Sequence, residues 1–122
     1  VVVDGDFIAV VHVAVNAVGF MPLVFDPIWI KPLPEEQIAD IFRRFDKILT
    51  VEESSLAGGF GSAVLEYASD HGLLAGKTVK RLGVPDRFIE HASQAQQRHE
   101  LGLDVEGIYR AVEELAGGTE TA

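Results

Sequence analysis

The sequence predicts an α/β fold, with a mostly parallel sheet covered by helices on both faces. Three observations carry this. Short β-branched apolar runs, Phe7 to Val15 (FIAVVHVAV) and Ile48 to Glu52 (ILTVE), alternate with segments whose apolar residues recur at helical spacing. A glycine-rich stretch from Ala57 to Ser62 joins one such run to the next helical segment. The chain has 122 residues, 48% of them hydrophobic, which suits a single domain with an ordinary core. Strands alternating with helices in one domain imply a parallel sheet sandwiched between layers.

Phe7 to Val15 reads as a strand buried on both faces. Leu23 to Ile30 (LVFDPIWI) reads as a second, ended or pushed to an edge by Pro27, which cannot donate to a ladder. Too few residues separate these two for a parallel crossover, which needs about a dozen, so the N-terminal third fits the scheme least well. Pro34-Glu35-Glu36-Gln37 opens a helix, with proline in the first turn and carboxylates at the positive end of the dipole. Ile38, Ile41, Phe42 and Phe45 form its apolar stripe, and Arg43, Arg44 and Lys47 lie near its negative end. Ile48 to Glu52 is the next strand, followed by Glu53. The helix after the glycines buries Phe60, Ala63, Val64, Tyr67 and Ala68, and His71-Gly72 stops it. Thr78 to Val84 (TVKRLGV) is a further strand with poor alternation. Ser93 and Gln96 are spaced as a capping box for a short helix that Gly102 ends. Asp104 caps a last helix with Val105, Ile108, Val112 and Leu115 inward. The domain is expected over residues 1–116, with 117–122 a frayed tail.

The formal net charge of −9 opposes binding to phosphate backbones and to anionic membrane surfaces. No apolar run approaches the ~18 residues of a membrane span, and the N-terminal residues lack the basic region of a signal peptide. The absence of cysteine excludes disulfides, thiolate metal sites and a thiol nucleophile. The expectation is an acidic, cytoplasmic domain that binds neither nucleic acid nor membrane.

Few residues are candidates for chemistry. Gly58, Gly59, Gly61 and Ser62 lie between a strand and a helix, where backbone amides and the dipole can hold an anion. They match neither GxGxxG nor the lysine-containing phosphate loop, and glycines there also serve close packing of the helix start. Glu52 and Glu53 end a strand of a parallel sheet, where functional loops gather. Neighbours on an extended strand point to opposite faces, which argues that one caps or pairs structurally while the other is solvated. The histidines show no HxxxH or HExxH spacing, so no metal site is expected. His91 is the one worth following. There is no GxSxG elbow, and the residues assemble no catalytic set.

Three segments together carry a family resemblance. Trp29-Ile30-Lys31-Pro32-Leu33-Pro34 resembles a turn of transketolase-like C-terminal domains. Leu49-Thr50-Val51-Glu52-Glu53, running into Ala57-Gly58-Gly59-Phe60-Gly61-Ser62-Ala63-Val64, resembles their strand–loop–helix. Leu82-Gly83-Val84-Pro85-Asp86-Arg87-Phe88-Ile89-Glu90-His91-Ala92-Ser93, with Glu100-Leu101-Gly102-Leu103-Asp104 and Gly107-Ile108, is similar to the end of the deoxyxylulose-phosphate synthases. Ala92 stands where that family has glycine. The resemblance covers about Phe25 to Leu115.

The resemblance implies a three-layer α/β/α domain with a mixed sheet of about five strands, the last domain of a three-domain transferase. It implies that thiamine diphosphate and magnesium bind the other two domains and none binds this chain. In such an enzyme the cofactor supplies the bond-making chemistry that joins pyruvate to glyceraldehyde 3-phosphate, on the way to isoprenoids and thiamine. The third domain is then expected to pack against the cofactor-binding domains and to help form a homodimer, inactive alone. Glu52, Gly58, Gly59, Gly61, Ser62 and His91 become anion-binding or interface candidates. Two other readings are a transketolase or 2-oxoacid dehydrogenase β-chain domain, and a self-standing module for a small anion.

Overall fold

The computed structural model describes residues 2–3, 23–25, 33–85 and 94–117. In order they form β1 (Val2–Val3), α1 (Glu35–Arg44), β2 (Lys47–Ser55), α2 (Phe60–Asp70), β3 (Thr78–Val84), α3 (Gln94–Leu101) and α4 (Val105–Gly117). The strands lie in the order β1-β2-β3, and both pairings are parallel. The expected strand at 7–15 lies outside the described residues, as does most of 23–30, of which Phe25 forms a single bridge.

β2 organises the molecule because its residues alternate between two cores. Ile48, Thr50 and Glu52 are buried on one side, where Ile48 joins Ile38, Ile41 and Phe42 of α1 and Phe60, Val64 and Ala68 of α2. Leu49 and Val51 are buried on the other, against Leu103 and against Ile108, Ala111 and Val112 of α4. Helices therefore cover both faces of a parallel sheet, as the alternation of strands and helices predicts.

The helices begin and end for local reasons. Glu35 and Glu36 fill the first turn of α1, Arg43 and Arg44 its last, and the Phe45 amide donates to Ile41 O at 3.0 Å to close it. Phe45 itself is extended and half-buried, one residue beyond the helix. Gly72, at φ +67°, turns the chain out of α2. In α4 the expected stripe is modified. Val105 is exposed, and Leu103, ahead of the helix, is buried in its place.

β2 is longer than the sequence suggests. It continues to Ser55, and its pairing with β3 slips: Val51 faces Leu82, yet Ser55 faces Val84. Four steps on β2 thus match two on β3, an irregularity of the kind that re-aims side chains near functional sites. The glutamates therefore lie inside the strand, where it departs from the regular ladder. Among the described residues, no helix is long and apolar enough to cross a membrane.

Candidate functional site

Glu52 is fully buried, yet it is not stranded. Its carboxylate reaches across the loop to the start of α2, where Oε1 accepts from the Phe60 amide at 2.9 Å and Oε2 from the Gly61 amide at 2.7 Å. These are donors that a helix N-terminus leaves without intrahelical partners. The residue in the capping position, Gly59, has no side chain to satisfy them. An acidic side chain on the neighbouring strand does so instead, and the helix dipole favours its charge.

Close approach of strand and helix depends on Gly61. A β-carbon there would stand 2.8 Å from Thr50 Oγ1, 2.9 Å from Glu52 Oε2 and 3.0 Å from Arg81 Cδ. Gly58, at φ +73°, serves differently, by allowing the chain to turn. The loop is braced from below: Ser62 Oγ donates to Leu56 O at 2.7 Å, and Arg81 Nη1 donates to Leu56 O at 3.0 Å and to Ser62 Oγ at 3.2 Å. The Leu56 amide donates to Val84 O at 2.8 Å. Thr50 Oγ1 is buried beside Gly61 with no hydrogen-bond partner, a local cost of close packing.

Glu53 points to the opposite face. One of its oxygens accepts from Arg98 Nε at 2.8 Å and Nη2 at 2.7 Å, tying α3 to β2. This pair borders a depression of about 320 Å³, lined also by Val84, Gln97, Leu101 and Leu103. The structure thus brings Glu52, Gly61 and Ser62 together with Gly58 and Gly59 in one loop and separates Glu53 from them. His91 lies outside the described residues.

Arg81 and Thr50 were not singled out from sequence. They are paired neighbours across β2 and β3, and a pairing between distant segments leaves no mark in either segment alone. Arg98 likewise sits in a polar helix without a motif.

A second polar cluster occupies the α3–α4 corner. His99 Nδ1 lies 2.8 Å from Asp104 Oδ2, Asp104 Oδ1 accepts from the Gly107 amide at 2.9 Å, and Glu106 accepts from Arg110 at 3.2 Å. Ligand atoms of His99, Asp104 and Glu106 lie within 4.8 Å of one another. All three are engaged in these pairs, and the positive end of α4 disfavours a cation there. The hydrogen bond to Asp104, then that residue's charge, raises the His99 pKa above its ordinary 6.5. Burial works to raise the Asp104 pKa, but the Gly107 amide and His99 outweigh it and hold the carboxyl below its ordinary value.

The profile of the transketolase C-terminal domain matches residues 8–108. The 1-deoxy-D-xylulose-5-phosphate synthase of Nitratidesulfovibrio vulgaris is 50% identical over 101 residues, covering 81% of this chain and 16% of that protein. The synthase of Anaeromyxobacter dehalogenans is 50% identical over 105 residues, covering 85% and 16%. This chain therefore spans about one-sixth of the relatives it matches. Among solved structures, a split-gene transketolase described as an inactive β4 tetramer superposes with a TM-score of 0.79 at 30% identity, covering 95% of this chain and 38% of that one. The strand–loop–helix that Glu52 fastens, the two-faced parallel sheet and the matched span agree, and the chain belongs to the family of transketolase C-terminal domains.

Proposed function

We propose that this chain is the C-terminal domain of a 1-deoxy-D-xylulose-5-phosphate synthase. There it packs against the domains that hold thiamine diphosphate and magnesium and contributes to a homodimer. It does not itself act on pyruvate or glyceraldehyde 3-phosphate. The observation that carries this reading is the 50% identity to synthases of which the chain spans only 16%.

The geometry supports the non-catalytic part. The two amides at the start of α2 that would suit a diphosphate are taken by Glu52, and the neighbouring Glu53 is held by Arg98. The residues of this loop therefore do not fit thiamine diphosphate or a magnesium-bound diphosphate, and no chemical step is assigned to them. The split transketolase chain, of which this chain covers 38%, is described as an inactive tetramer, which agrees with a domain that is inactive alone.

The test is to co-purify this chain with separately expressed cofactor-binding domains of a synthase and assay pyruvate decarboxylation dependent on glyceraldehyde 3-phosphate. Stable association with restored turnover is expected. A well-folded chain that neither associates nor restores turnover would overturn the proposal. In that case, a phosphate-dependent rise in melting temperature would identify a small-anion module instead, through binding linkage. Turnover with transketolase domains alone would reassign the chain within the family.

A further inference from the structure

The corner between α3 and α4 is tightly built. Gly102, at φ +72°, reverses the chain, with its amide donating to His99 O at 3.2 Å and the Leu103 amide to Arg98 O at 2.7 Å. Gly107 lies so close to the Gly102 backbone that a β-carbon has no room. The reversal sets His99, in the last turn of α3, against Asp104, whose carboxylate accepts from the Gly107 amide at the start of α4. A protonated imidazole then sits at the negative end of one helix and a carboxylate at the positive end of the next, so both dipoles favour the pair.

The pair lies at the end of a short, polar element. α3 has eight residues, QAQQRHEL, well short of the length at which a helix persists alone. Its sequence offers almost no apolar stripe, and Leu101 packs against a core cluster. Arg98 also ties it to Glu53 of β2. The residue next to Arg98 is His99.

We propose that His99 and Asp104 form a pH-sensitive clasp, which holds α3 against the sheet while the imidazole is protonated and loosens it when the proton leaves. The groups facing His99 are Asp104 and Glu106, which favour its charge, and Arg110, which opposes it, all from α4 or its cap. Arg98 and Glu100 adjoin it on α3. Because the folded His99 pKa is raised, its contribution is complete below about 6.5 and is lost as pH rises through the raised value. Asp104 sets the acid limit in the opposite sense, since its lowered pKa makes its contribution fade only as pH falls through that value. The clasp concerns the domain itself and stands independently of which enzyme the domain serves.

The test is amide hydrogen exchange by NMR on the full chain at about pH 6 and about pH 8.5, with intrinsic exchange rates divided out, reading α3 against α1. Protection in α3 should fall about two- to fivefold at the higher pH while α1 changes little, the size expected of an exposed charge at a helix end. His99→Gln should show the lower α3 protection at both pH values. Unchanged protection in the wild type, or an undiminished pH effect in His99→Gln, would overturn the proposal. Should that variant not fold, Asp104→Asn keeps a capping oxygen but removes the charge. The His99 imidazole resonances should then titrate nearer the ordinary value, and an unmoved titration would refute the clasp.

Discussion

Replacing Glu52 by alanine would leave the Phe60 and Gly61 amides buried without acceptors. A loss of about 2–4 kcal/mol is expected in urea denaturation, because each orphaned buried donor carries its full desolvation cost. Glu52→Gln keeps one acceptor and should lose about half as much. At Gly61, alanine would press on Thr50, Glu52 and Arg81 and should cost about 1–3 kcal/mol as overpacking. Gly58→Ala meets nothing within 4 Å, so its expected cost of about 1–2 kcal/mol comes from the positive φ alone. Measuring the two side by side separates crowding from backbone strain. Glu52 and the glycines were legible in the sequence because a strand, a glycine run and a helix start follow one another directly. Arg81 was not, because its role depends on lying opposite Thr50 on a strand far along the chain.

Among the elements, β2 and α1 announce themselves, the first by β-branched residues and the second by an apolar stripe between acidic and basic ends. α3 is announced by its ends alone, since it lacks a stripe: Gly102 terminates it as expected, and Ser93 of its expected capping box lies outside the described residues. One of its links to the sheet is an ion pair whose partners are about one-third exposed, at 29% and 33%. A double-mutant cycle between Arg98→Ala and Glu53→Ala should therefore return a coupling of only about 0.5–1 kcal/mol at low salt. In 1 M sodium chloride the coupling should fall toward zero through screening. A coupling that resists salt would mean that the pair is enclosed in solution. Val105 shows the limit of periodicity at the element scale, because the buried Leu103 supplies the core contact that its spacing suggested.

At the scale of the whole molecule, the two-faced parallel sheet was readable from the order of elements, whereas the slip between β2 and β3 was not, because register is set by packing between distant segments. Stability against pH is a property of the sum. Lys80 holds the Glu114 carboxyl below its ordinary range by hydrogen bond and charge, and Asp104 is lowered as well. Both contributions are present above the ordinary carboxylate pKa and vanish as pH falls through the folded values, while that of His99 vanishes as pH rises. The melting temperature should therefore peak in the weakly acidic to neutral range and decline on both sides; a steady rise from pH about 7 to 9 would contradict this. Glu52 also has a consequence in time. It reaches residues only eight and nine positions further along the chain, so the contact closes a small loop at low entropic cost. Strand β2 and the first turn of α2 can thus find each other before the sheet recruits β3, and folding should begin where that carboxylate first meets those amides.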